Sequence, residues 1–168
     1  AAKGTFDRLV RIAEGAALIT NTTYDVRYAA SAWPQLANKA IAEAIQKNIE
    51  SVGMPRWTEQ EQQFARDFQK SAGKPVIGLR TAPIPLGGRQ QAASLNDNGD
   101  VSWVVPAGFF NFPASVPGIE FHEWHAAVMP VSSISHKGQV AGAKVLAASI
   151  LDLMTSPVLL RNAKGEFD

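Results

Sequence analysis

The sequence predicts an α/β domain, and three observations carry that expectation. Apolar residues recur at helical spacing in four separate stretches. Short apolar and alternating runs stand between them, as strands do. The coarse order that results is helix, strand, helix, helix, loop, strands, helix. With 168 residues the chain is long enough for one domain with a core, or for part of a larger one.

In the first helix Phe6, Leu9, Val10, Ala13 and Ala17 share a face, and an Ala-rich run continues to about Ile19. A strand is expected over about 22–30, where Tyr24, Val26 and Tyr28 alternate with Thr23, Asp25 and Arg27. Trp33-Pro34 marks a boundary, because proline disfavours helix in the residue before it. One helix and one strand cannot form an independent domain, so this first segment is expected to need partners outside it. The second helix is expected over 35–52 with Ile41, Ile45, Ile49 and Val52 buried; Gly53 and Met54-Pro55 stop it. Thr58-Glu59-Gln60-Glu61 matches a capping box opening a third helix, which buries Phe64, Ala65 and Phe68 and ends near Gly73. Proline and glycine make 74–100 a long irregular segment. Two apolar runs, 101–105 and 109–112, look like buried strands. A histidine-bearing loop at 117–136 then leads to a last helix over 137–154, with Val140, Ala143, Ala147, Ile150 and Leu151 on one face.

Sixteen Lys and Arg against fifteen Asp and Glu give a net charge of +1, which offers no electrostatic case for nucleic acid. The absence of cysteine excludes disulfides and Cys-built metal sites and fits a reducing compartment, so a cytoplasmic location is expected. No apolar stretch approaches the eighteen or so residues that span a bilayer, and the start, Ala1-Ala2-Lys3-Gly4, does not read as a signal peptide.

All three histidines, His122, His125 and His136, lie within fifteen positions, close to Glu120 and Glu123. Imidazole and carboxylate suit zinc or manganese. The spacing lacks the i, i+4 His pair of the zincins, and surface or hydrogen-bonded histidines beside Trp124 explain it as well. No His-x-Asp strand motif and no Glu-Glu pair occurs, so the chain cannot build a two-metal site alone. Ser133 or Ser135 would cap the last helix, and His136 at that helix start suits an anionic substrate group. Asn96-Asp97-Asn98-Gly99-Asp100 reads as a turn, since no Glu closes a calcium loop. Gly87-Gly88-Arg89 is too short for a phosphate loop, and no serine sits in a nucleophile elbow.

Several segments, in order, resemble the aminobenzoyl-glutamate hydrolase B subunits, within the aminoacylase and glutamate-carboxypeptidase group of metallohydrolases. They are 12–20 (Ile-Ala-Glu-Gly-Ala-Ala-Leu-Ile-Thr), 98–106 (Asn-Gly-Asp-Val-Ser-Trp-Val-Val-Pro), Gly118 to Trp124, and Ser133-Ile134-Ser135-His136-Lys137-Gly138 with 143–147 after it. Glu123 stands where that family's Gly-x-x-x-His-Ser-Trp has Ser. The resemblance implies the end of an α+β lid domain over 1–31, followed at 32–168 by the second half of a split metallopeptidase-type catalytic domain, a mixed sheet with flanking helices. It implies that the parent protein hydrolyses an amide bond to an amino acid (aminobenzoyl-glutamate, an N-acyl amino acid or a dipeptide). Two divalent ions, zinc or manganese, would activate a bridging water there.

By the same resemblance His122 is the metal position, with His125 as runner-up. His136, Asp97, Asp100 and Trp103 would border the substrate. No catalytic residue falls in this chain. Its partners would be the N-terminal half and either a second copy or a related A subunit, and alone it would be inactive. The contrasting expectation, from the missing ligands, is a catalytically dead binding or assembly module.

Overall fold

The computed structural model describes residues 2–87 and 96–168, so Ala1 and the Gly88-Arg89 pair lie outside the described residues. Helix makes up 59% of what is described, and no strand occurs there. The expected mixed sheet is therefore corrected to an all-helical arrangement. The physical reason is local. A helix satisfies its own backbone, whereas a strand needs a neighbour, and the described residues supply only one isolated parallel bridge, Ala37 to Ala107.

Two compact units divide the chain, Ala1–Ser31 and Ala32–Asp168. In the first, α1 (Ala2–Thr20) ends at Asn21, whose φ of 51° is a left-handed helix stop. The expected strand at 22–30 forms no ladder. Its Tyr28 instead turns back edge-on to Phe6, with ring centroids 6.0 Å apart.

The larger unit is organised around α2 (Lys39–Val52), which packs against α6 (Ser133–Thr155) and α7 (Pro157–Phe167). Asn38 caps α2 by accepting the Ile41 amide and donates to the Ala163 carbonyl. Glu166, near the end of α7, accepts the Lys39 and Ala40 amides at 2.9 and 3.1 Å. Two otherwise orphaned donors of α2 are thus capped by a carboxylate from α7. Ile41, Ile45, Val145 and Ala163 form the core between these helices. A second core joins Ala65, Leu79, Val116, Met129 and Ile134.

The capping box of α3 (Glu59–Ser71) is present as expected. Ala65 is fully buried on it, Phe68 is half-buried, and Phe64 is exposed. The Gln69 side chain, also fully buried, accepts the Ile77 and Gly78 amides at 2.9 and 2.8 Å and donates to the Gly78 and Pro117 carbonyls. Gln62 binds both the amide and the carbonyl of Leu79. Two glutamines one double turn apart therefore serve 77–79 as a neighbouring strand would.

The expected strand at 101–105 is replaced by α4 (Asp97–Ser102) and a turn, because Asn96 caps the first amides, those of Asn98 and Gly99. Gly99 is needed there, since a Cβ would collide with the Trp33 carbonyl. The 109–112 run stays without turn or bend but pairs with no strand. A short helix, α5 (Trp124–Val128), and a 3-10 turn (Met129–Val131) precede α6.

The stripe expected to be buried on α6 is exposed. Its buried side is Ile134, Gly138, Gly142, Val145 and Ser149, where small residues let 112–113 approach closely. A Cβ on Gly142 would lie 2.7 Å from the Phe112 ring. Among the described residues no single helix is long and apolar enough to cross a membrane.

Candidate functional site

The histidine loop is held by the second core. Ile119 packs against that core beside buried Val116, and Met129 anchors the far end. Between them Lys74 reaches from the end of α3 to Glu120 at 3.3 Å and to Glu123 at 4.0 Å. His122 lies exposed in the intervening turn, its ring edge-on to Phe121 at 5.2 Å. The nearby carboxylates are thus committed to a lysine.

His125 is enclosed. Its ring stacks on Trp124 with centroids 3.7 Å apart and meets the edge of Phe68 at 5.3 Å. Nδ1 lies 3.8 Å from the Glu123 carboxylate, too far for a hydrogen bond, and the buried Nε2 has no partner among the described residues. Aromatic enclosure explains why this histidine sits where it does.

His136 is exposed on the first turns of α6, opened by Ser132, whose hydroxyl accepts the Ser135 amide. Lys137, next to it, belongs to a half-buried network. Its ammonium donates to Glu61 at 2.7 Å and to the Arg56 carbonyl at 3.1 Å, while the Ser133 hydroxyl donates to the other Glu61 oxygen at 2.7 Å. Burial alone would raise the Glu61 pKa. The Lys137 ammonium, the Ser133 hydroxyl and the Thr58 amide outweigh it and lower the value to about 2. Sequence reasoning finds Glu61 only as a cap; its second role needs the α6 start to fold against α3.

Asp97, Asp100 and Trp103 are carried by α4 and its end. Asp100 accepts the Trp33 amide at 2.8 Å, and the Trp103 indole donates to the Pro34 carbonyl at 2.8 Å. The two tryptophan rings lie 5.5 Å apart, and the Ser102 hydroxyl accepts the Leu36 amide. These contacts clamp 33–36 to α4; Asp97 remains exposed.

Among the described residues no three His, Asp or Glu side chains gather as a metal site. A cavity of about 920 Å³ lies between the end of α2, α6, 79–84 and 110–119, and none of His122, His136, Asp97, Asp100 or Trp103 lines it. Asp97, Asp100 and Trp103 share α4 and its end, whereas no hydrogen bond, ion pair or ring contact among the described residues joins them to His122 or His136.

The chain is similar to the B subunit of p-aminobenzoyl-glutamate hydrolase from Escherichia coli (strain K12), with 29% identity over an alignment of 188 residues. That alignment takes in 96% of this chain and 39% of the E. coli protein, so the resemblance carried by the motifs holds across nearly the whole sequence. The chain spans well under half the length of that relative. No protein-family model and no solved structure matches it.

Proposed function

We propose that this chain forms part of an amidohydrolase that releases an amino acid from p-aminobenzoyl-glutamate or from a related N-acyl amino acid or dipeptide. The observation that carries the reading is the similarity to the E. coli hydrolase across 96% of the chain. Its proposed setting is cytoplasmic, in a homodimer or beside a related A subunit.

Two zinc or manganese ions are the proposed cofactors, and the described residues do not fit them unaided. His122 has no gathered carboxylates or histidines around it, and Glu120 and Glu123 are turned to Lys74. This chain accordingly contributes one metal ligand, His122, and the remaining ligands and the general base come from polypeptide beyond these 168 residues. His136, exposed where α6 begins, is proposed to meet a substrate carboxylate, with Asp97, Asp100 and Trp103 on the border of the substrate.

The test is glutamate release from p-aminobenzoyl-glutamate with zinc or manganese supplied. We expect turnover by the protein isolated at its natural length and none above buffer by the 168-residue chain. Within the active protein, His122→Ala should lower kcat/KM by roughly 100-fold or more, since even outer-shell changes at metal sites cost about 10- to 100-fold. A natural-length protein that binds no metal and releases no glutamate overturns the reading and leaves a binding or assembly module in its place.

A further inference from the structure

One carboxylate ties the start of α6 to α3. Glu61 keeps only 7% of its surface exposed, and both of its oxygens are engaged. One accepts the Ser133 hydroxyl at 2.7 Å. The other accepts the Thr58 amide and the Lys137 ammonium, each at 2.7 Å. Ser133 and Lys137 stand one helical turn apart, so they share the side of α6 that meets α3. His136 lies between them in the sequence and is exposed. Ser132 caps the same turn by accepting the Ser135 amide, which shapes the turn without fastening it to another element.

We propose that Glu61 is a positioning residue. Through Ser133 and Lys137 it fixes the first turn of α6, and with it the place of the His136 imidazole against a substrate carboxylate. The inference rests on the proposed role of His136 and adds to it a residue on another helix that touches no substrate.

Among the described residues the His136 imidazole makes no hydrogen bond of its own, so the turn that carries it sets its place. A group that recognises a ligand must be held within about 0.5 Å of its productive position by the residues behind it. Apolar packing does not supply that. Ile134 lies in one core with Ala65, which holds the two helices together, but burial of this kind is not directional. Short hydrogen bonds to a charged acceptor are directional, and three of them on one buried carboxylate select a single arrangement. Stability accounts poorly for the pair, because a buried ion pair often stabilises no more than apolar side chains of the same size. Its gain is orientation. The same bonds keep Lys137 from the substrate, since its ammonium is committed to Glu61 and the Arg56 carbonyl.

The test is a kinetic cycle in the protein isolated at natural length, with p-aminobenzoyl-glutamate as substrate. Glu61→Gln combined with Lys137→Met removes the tether and leaves the net charge unchanged. Each form is made with His136 and with His136→Ala. His136→Ala alone should raise KM about tenfold, as loss of a hydrogen bond to a charged group does. The untethered form should raise KM about fivefold where His136 is present and add nothing where it is absent. Ser133→Ala keeps the ion pair and serves should the untethered form misfold; it should raise KM about twofold with the same dependence on His136. A merely structural Glu61 would lower the folded fraction, and so the rate per total enzyme, without moving KM. An unchanged KM overturns the proposal, and so does an equal rise in both backgrounds. If His136→Ala leaves KM unchanged, or no glutamate is released, the reading of the site fails first and the inference falls with it.

Discussion

α3 and α6 flank the same core and differ in what they turn outward. α3 buries Ala65 and Gln69 and shows Glu59, Gln60, Gln63 and Asp67 to solvent. α6 buries glycine, serine and valine and shows valine, isoleucine, leucine and methionine. A helix with a polar outer face and a helix with a largely apolar one thus lie in one unit. The difference teaches that burial in this chain records only part of what its apolar residues are for.

The largest expected effect is on the helix with the polar outer face. Gln69→Ala would strand two amides and two carbonyls at a fully buried position, and we expect a loss of about 4 kcal/mol. Urea unfolding followed by circular dichroism measures it. On the inner face of α6, Gly142→Leu drives a side chain into Phe112 and should cost about 3 kcal/mol. If that substitution proved neutral, the assignment of inner and outer faces would be reversed.

A smaller effect belongs to the pair that joins the two helices. Glu61→Gln leaves Lys137 without its partner, and because Lys137 keeps 37% of its side-chain exposure the loss should be about 2 kcal/mol. The folded-state pKa of Glu61 lies below its ordinary 4.5. Its contribution is therefore complete above about 4.5 and is lost as pH falls from there toward about 2. Thermal melts across that window should converge for wild type and Glu61→Gln. The smallest effect lies on the outer stripe. Ile150→Ser in the 168-residue chain should change stability by less than about 0.5 kcal/mol, because the side chain is exposed. The contrast with Gly142→Leu sharpens the comparison within a single helix.

How much of this was legible follows the same divide. The capping box and spacing of α3 stand in the sequence because they are local. α6 was legible as a helix, but periodicity names an apolar face without saying which is inward when two exist. Gly138 and Gly142 carried that signal, since small residues four apart allow a close approach. α7 was missed although Ser156-Pro157 has the form of a helix start. The strands failed because pairing is not local: 109–112 has the composition of a strand but no described neighbour to pair with. The site residues share that dependence. Asp100 and Trp103 clamp Trp33 and Pro34, far away in sequence, whereas His122 and His136 face outward, and no contact among the described residues joins the two groups.

The glutamine clasp on 77–79 has a kinetic consequence. The amides of Ile77, Gly78 and Leu79 are latched to side chains rooted in α3, not to a strand that could peel away separately. Their exchange with deuterated water should thus keep pace with the opening of α3 itself. Helix and extended run would then open together as one cooperative segment, in which a stretch with no regular structure inherits the lifetime of the helix beside it.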